Sequence, residues 1–412
     1  MSTRRQFFAG SASALLSVAL PGVGRADVKT FPYGEFEQRI ARKDFRGMTK
    51  DVLPTPCMVV DIDLFDKNVK AMADYGKQAQ INLRPHVKVH KSVDIAKRQM
   101  ALGAIGVTSA TIAESELMCA AGIKGVLWTK QPASYNNLMR AIALTKRDPT
   151  FMFVVDDPAV ADQVEQAAAA AKVKCRVAVS VFAGMKRQGI ENGQPAVDLA
   201  RKLVASKHIE LAGFMAYSGT ASHTKGWEAR RKQSAVDLSG AQETVALARK
   251  DGLPMGFVSG GSTGTYNMDK ELGLTELECG SYVFMDSLYR QVGCKSDDQT
   301  YTDFDSSLSI ITTVDSKRHS GQVTTDYGNK AMARPTDVVK GMPWLQVGNQ
   351  GAEYGMLHWK DGGGEIKVGD RVEIFCSNLD MSTNCYDRYY VAKGNDIVDV
   401  WPIMGRTGAA QR

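Results

Sequence analysis

From about residue 58 to residue 260 the chain alternates short apolar runs with longer stretches whose apolar residues return at helical spacing. Met58-Val-Val-Asp-Ile-Asp63 reads as a strand, and Leu64 to Tyr75 as the helix after it. Ile81 to Lys88 is strand-like, and Ser92-Val-Asp caps a helix running to about Leu102. The pairing recurs in Gly106–Ala110 with Ile112–Ala121, Gly125–Lys130 with Tyr135–Lys146, and Phe151–Asp156 with Ala159–Ala171. Cys175–Val181 with Ala196–Ala205 and Ile209–Tyr217 with Glu228–Lys250 continue it, and Phe257-Val-Ser259 ends in a glycine-rich turn. Such alternation predicts parallel βαβ units, and about eight of them fit a closed (β/α)8 barrel of the TIM type better than an open sheet.

From about residue 300 the helical period stops. Ser307–Val314, Gln322–Asp326, Arg371–Phe375 and Tyr389–Ala392 are β-like and separated by Gly/Asp turns. The expected organisation is a leader at 1–26, an N-terminal segment at 27–54 packing on the β-domain, a (β/α)8 barrel at 55–300, and a C-terminal β-rich domain at 301–412.

Composition adds little to this picture, but the N-terminus changes it. With 412 residues, 44% hydrophobic and 23% charged, the chain can bury a substantial core. It begins Ser2-Thr-Arg-Arg-Gln-Phe-Phe8, continues as an apolar run diluted by Gly, Ala and Ser to Leu20, and then reads Pro21-Gly-Val-Gly-Arg-Ala26. Paired arginines before such a run form a twin-arginine export signal, which predicts a periplasmic protein. The run is too short to span a bilayer, and no other segment is long and apolar enough to do so. Arg4, Arg5 and Arg25 would leave with the signal, lowering the net charge from +6 to +3. That balance gives no reason to expect nucleic acid or an anionic membrane as partner. Seven cysteines without a Cys-x-x-Cys pair suggest buried free thiols rather than a disulfide framework.

Two segments could carry chemistry. In Arg84-Pro-His-Val-Lys88-Val-His-Lys91 the lysine falls where the second strand gives way to its loop, the end at which barrels place catalytic groups. His86, Lys88 and His90 alternate, so an extended backbone puts them on one face, and Arg84 and Lys91 favour a neutral, nucleophilic Lys88. The same residues would equally suit a basic strand end that binds a phosphate or a carboxylate. Ser259-Gly-Gly-Ser-Thr-Gly-Thr265 follows a late strand and could present main-chain N–H groups to an anion.

Together with Thr55-Pro-Cys-Met-Val-Val-Asp61, Gly280-Ser-Tyr-Val-Phe-Met-Asp286, Asp387-Arg-Tyr-Tyr-Val391 and Val398-Asp-Val-Trp401, these motifs resemble the D-threonine aldolase and D-serine dehydratase family. The resemblance covers roughly residues 50–405. It implies fold type III, with an alanine-racemase-like barrel, a C-terminal β-domain, pyridoxal 5'-phosphate (PLP) at the barrel mouth, and commonly a homodimer. Residue by residue, it implies that Lys88 carries PLP covalently. Gly261, Ser262, Thr263 and Gly264, with Ser281 and Tyr282, would hold the phosphate. Arg187 would lie beside the cofactor. Tyr217 and His223 would line the site, with His223 as the general base that takes a β-hydroxyl proton.

The resemblance also implies a divalent metal on the substrate's β-hydroxyl. Its ligands would be a histidine and, two residues later, an aspartate in the aldolases or a cysteine in the dehydratases. Here Asn378 and Asp380 occupy those positions, and Glu353-Tyr354-Gly355 replaces the usual Glu-His-Gly. An amide oxygen suits a hard cation but is a poor ligand for Zn²⁺ or Mn²⁺. The activity expected is that of a PLP-dependent lyase cleaving a D-β-hydroxy-amino acid to glycine and an aldehyde. A dehydratase, an amino-acid racemase and a PLP- or amino-acid-binding protein without turnover are the alternatives.

Overall fold

The computed structural model describes residues 30–331, 338–360 and 364–406, so the leader expected at 1–26 lies outside the described residues. Among the described residues, nine strands precede residue 280. The first, β1 (Cys57–Asp61), stands apart from the rest. The others are β2 (Asn82–Leu83), β3 (Thr108–Ser109), β4 (Leu127–Trp128), β5 (Met152–Val155), β6 (Cys175–Ser180), β7 (Ile209–Ala216), β8 (Phe257–Gly260) and β9 (Glu276–Leu277). They form one parallel sheet in the order β2-β9-β8-β7-β6-β5-β4-β3. Its two edges meet. The Ile105 N–H donates to Leu83 O and the Thr108 N–H to Pro85 O, each at 2.9 Å, and His86 bridges Thr108. The sheet therefore curls until its ends are joined, as the alternation predicted for a barrel of parallel βα units.

The helix Pro158–Ala171 shows how the sequence builds the outer layer. Val160, Ala161, Val164 and Ala168 recur every three or four residues and are buried. Asp157 caps the first turn by accepting the Ala159 N–H, and Pro158 sits where a missing N–H does no harm. Inside, Leu127, Met152, Val154, Ala178, Ala212, Met215 and Phe257 form a separate cluster. They alternate along the strands with Phe153, Val155, Val177, Val179 and Phe214, which belong to the larger core shared with the helices.

At the seam between β9, β2 and β4 lies a buried ion pair. Arg84 Nε and Nη2 donate to the two carboxylate oxygens of Glu276 at 2.7 and 2.9 Å. Nη1 donates to the Gly125 carbonyl. The side chains are only 5% and 1% exposed. Gly106 and Gly125 leave room for the guanidinium, since a Cβ on either would meet Arg84 Nη1 or the facing main chain.

The C-terminal strands are β10 (Leu308–Ser316), β11 (Gln322–Thr325), β12 (Val338–Val339), β13 (Gln346–Gln350), β14 (Gly355–His358), β15 (Arg371–Phe375), β16 (Arg388–Lys393) and β17 (Asp396–Pro402). Their order is β11-β14-β13-β12-β15-β10-β1-β16-β17, and β11 also pairs with β10, so six strands close on themselves. The β1 strand was expected to open the parallel barrel. Instead it pairs antiparallel with β10 and parallel with β16. Buried on both faces from Cys57 to Val60, its sequence reads as a central strand of either sheet. The chain enters the barrel only after the helix Ile62–Ala79. Phe36, Met48 and Leu53, from the segment before β1, pack with Cys57, Val59, Ile311, Tyr390, Ala392 and Ile397. All seven cysteines are free, and only Cys385 is exposed.

Removing one partner of the Arg84–Glu276 pair strands a buried charge. Arg84→Met should lower the unfolding free energy by about 3–5 kcal/mol in urea titrations of the apoprotein. Arg84→Met combined with Glu276→Met should recover most of that loss.

Candidate active site

Lys88 stands in a short 3₁₀ turn, Val87–Val89, directly after β2. The extended backbone expected there is absent, because His86 makes its bridge to Thr108 and the chain then turns. The His86 Nδ1 accepts the Lys88 N–H at 3.3 Å. His86 and Lys88 line a cavity of about 560 Å³ at the barrel mouth. His90 does not share that face: it is fully buried, and its Nδ1 accepts the Ser92 N–H at 3.1 Å. Burial, and then the nearby Lys88 charge, push the His86 pKa well below its usual value. Burial lowers that of His90 to about 3. Both imidazoles are therefore neutral near neutral pH.

The neighbours of Lys88 also differ from expectation. Arg84 is spent on Glu276. Lys91 turns its ammonium onto Lys88 O, Asp380 O and Thr383 Oγ1 at 2.6, 2.8 and 2.9 Å. The Lys88 ammonium instead meets Asp380 Oδ2 at 2.7 Å. Burial works against the charge on Lys88, but the Asp380 carboxylate outweighs it and raises the pKa. Lys88 is thus a cation here, where the sequence pattern favoured a neutral amine.

Across the cavity stand Thr129, Lys130, Gln131, Asp156, Arg187, Gln188, Tyr217 and Glu278. The loop bearing Arg187 is pinned on both sides. Gln188 Nε2 donates to Thr129 O at 3.0 Å, and the Gly189 N–H donates to Asp156 Oδ2 at 2.8 Å. The Arg187 guanidinium lies 5.8 Å from the centre of the Tyr217 ring. Lys88, Lys130 and Arg187 make this mouth suited to a carboxylate. Glu278, which the sequence reading did not single out, is buried and accepts the Ser259 hydroxyl at 2.6 Å.

The glycine-rich turn is built inward. Ser262 Oγ lies 3.1 Å from Thr265 Oγ1, and Thr263 Oγ1 accepts the Tyr282 N–H at 3.0 Å. The hydroxyls are therefore occupied in holding the turn. Among the described residues, the main-chain N–H groups of Thr263 and Gly264 find no partner although both residues are buried. Gly261 has φ +76°, and a Cβ on Gly264 would run into the Ser222 carbonyl. Two unpaired N–H groups on buried residues, in a turn whose glycine positions leave no room for a Cβ, suit a phosphate. Ser281 is half-buried beside them, with no hydrogen bond from its hydroxyl among the described residues. The Tyr282 phenol points elsewhere, accepting from Gln99 Nε2 at 2.9 Å, so its contribution to the turn is its main chain.

Arg230 escaped the sequence reading altogether. Fully buried, it donates from Nε to Gly264 O, from Nη1 to Thr224 O and Val292 O, and from Nη2 to Gly293 O. It fixes the turn from behind. His223 is an exposed side chain whose ring lies tilted against Tyr289, with ring centres 4.4 Å apart. Partial burial against this ring and the Lys88 charge lower its pKa, which keeps it a proton acceptor.

The candidate metal ligands do not assemble. Asn378 Oδ1 accepts the Met381 N–H at 3.1 Å, capping the short helix Leu379–Ser382, and Asp380 faces Lys88. Among the described residues no group of three or more His, Cys, Asp or Glu is placed to hold a metal ion. Tyr354 is 61% exposed.

Residues 60–288 match the alanine racemase N-terminal domain family, and residues 307–392 a serine dehydratase domain. The chain is 31% identical to 3-hydroxy-D-aspartate aldolase of Paracoccus denitrificans (strain Pd 1222), covering 87% of this chain and 94% of that relative. It is 29% identical to D-threonine aldolase of an Arthrobacter species, covering 85% and 92%. Among solved structures, D-threonine aldolase from Filomicrobium marinum superposes with a TM-score of 0.82 at 29% identity, over 87% of this chain and 96% of that one. D-threo-3-hydroxyaspartate dehydratase from Delftia sp. HT23 gives 0.77 at 26% identity, over 86% and 98%.

Glu278 should leave its mark on stability. Burial raises its pKa from 4.5 to about 7. In that interval the folded chain holds a proton that the unfolded chain has lost, so stability falls as pH rises. In urea titrations of the apoprotein between about pH 5 and 7, Glu278→Gln should lessen that fall by on the order of 2 kcal/mol.

Proposed function

We propose a function from one premise: this chain belongs to the alanine-racemase-like family of PLP-dependent aldolases and dehydratases that act on D-amino acids. The residues present fit that cofactor. Lys88 offers the amine at the cavity, and the Thr263 and Gly264 N–H groups, with Ser281, offer donors to the phosphate. Within the family, the reading best supported is a carbon–carbon lyase cleaving a D-β-hydroxy-amino acid to glycine and an aldehyde. The observation that carries it is Lys88 on the wall of a cation-lined cavity whose Arg187 and Lys130 can hold substrate carboxylate. Two of the relatives above are named as aldolases of this kind of substrate.

Bound PLP supplies the sink for the electron pair left on Cα. The chain's own residues supply the rest. Arg187 and Lys130 orient the substrate through its carboxylate, and the pinned loop at 187–189 keeps that orientation. His223, held neutral, takes the β-hydroxyl proton as the Cα–Cβ bond breaks. The arginine-pair leader would deliver the folded, loaded enzyme to the periplasm.

The test is product analysis with 3-hydroxy-D-aspartate, D-threonine and D-serine. Glycine should appear with glyoxylate or acetaldehyde from the first two. Keto acid and ammonia in place of glycine would make it a dehydratase, and loss of chirality without cleavage a racemase. Lys88→Ala should lose the borohydride-reducible cofactor by mass spectrometry. His223→Asn should keep the cofactor and KM while lowering kcat about 10²–10⁴-fold.

A further inference from the structure

The family resemblance calls for a divalent cation beside the substrate, and the residues here do not fit one. We propose that Asp380 is committed to Lys88 as its positioning carboxylate and that the site works without a divalent cation. The reaction it serves rests on the lyase reading above, but the absence of metal binding does not.

Three observations carry the inference. First, both candidate ligands have other work. Asp380 Oδ2 is 2.7 Å from the Lys88 ammonium, and Asn378 Oδ1 accepts the Met381 N–H that starts the Leu379–Ser382 turn. Second, that turn is fastened to Lys88 by a second ammonium. Lys91 Nζ bridges Lys88 O at 2.6 Å and Asp380 O at 2.8 Å. A dication on Asp380 would sit against two cations, and it would take from Lys88 the one carboxylate that pairs with it. Third, among the described residues no group of three or more His, Cys, Asp or Glu is placed to hold a metal ion, and the neighbouring carboxylates serve the fold. Asp286 caps its own helix through the Tyr289 N–H at 2.8 Å, and Glu114 accepts the Ala110 N–H at 2.7 Å. A single carboxylate and a capped amide fall short of the nitrogen-rich set that Zn²⁺ or Mn²⁺ selects and of the oxygen cage that Ca²⁺ needs.

Asp380 therefore acts through Lys88. It holds the Lys88 side chain at the cavity wall. Because it belongs to the C-terminal domain, it does so from the far side of the domain junction.

The experiment uses the holoenzyme purified without chelator. Mn, Zn, Mg and Ca are measured by mass spectrometry after dialysis, and Mn²⁺ is added while the free-ion EPR signal is followed. We expect metal far below one ion per chain and an Mn²⁺ signal equal to that of buffer alone. Turnover should be unchanged by EDTA. Asp380→Asn should retain the cofactor and KM yet lose kcat on the order of a hundredfold, Asp380→Glu should regain part of it, and no metal should restore it. A stoichiometric metal would overturn the proposal. So would a saturable loss of Mn²⁺ signal that Asp380→Asn abolishes, or EDTA inactivation reversed by a metal. An enzyme that leaves Mn²⁺ free but cleaves none of the substrates would remove the lyase reading and leave the metal-free site standing.

Discussion

The two-pronged contact between Arg84 and Glu276 joins parts of the barrel that are far apart in sequence and adjacent around its circumference. Glu276 is on β9, Arg84 leaves β2, and the Gly125 carbonyl that Arg84 also holds precedes β4. The strands on either side of this seam are among the shortest of the sheet, so side chains must supply closure that ladder hydrogen bonds do not. A charge pair this deep is tolerated because its geometry is bidentate and its spare donor is satisfied. Arg84 lies four positions before Lys88. Closing the seam therefore also fixes the turn that presents Lys88 to the cavity.

The second domain meets the barrel at the same place. Tyr389 OH donates to His90 O at 2.8 Å, and Met404 and Gly405 N–H groups donate to Lys91 O. Phe284 packs on Tyr389 with ring centres 5.2 Å apart. These contacts fasten the segment that follows the 3₁₀ turn, while Asp380 reaches Lys88 itself. The β-domain is thus a wall of the site. Motion between the two sheets would be felt first at the lysine.

Much of this was legible in the sequence, for identifiable reasons. The βα alternation has two distinct periods, and a sheet covered by helices enforces both. β1 was misassigned because a strand buried on both faces carries no mark of which sheet it joins. The glycine turn was recognisable by type, yet its Ser and Thr side chains serve the turn, and the polar groups it leaves unpaired are main-chain N–H. Arg230 sits among Arg231 and Lys232 in a polar helix and reads as solvent-facing. Only the fold shows it fully buried among carbonyl groups. The alternation of His86, Lys88 and His90 suggested one face, but the chain turns after the bridge at His86, and His90 leaves the cavity that His86 and Lys88 still line.

The pairing of Lys88 with Asp380 spans 292 positions of the chain. A polypeptide leaving the ribosome exposes its N-terminal part first, and domains tend to fold in that order. The barrel can close around Arg84 while the β-domain is still being made, but its lysine then has no counter-ion and an unfinished wall behind it. The surroundings of Lys88 are in this way complete only once the C-terminal part of the chain has been made and has folded onto the barrel.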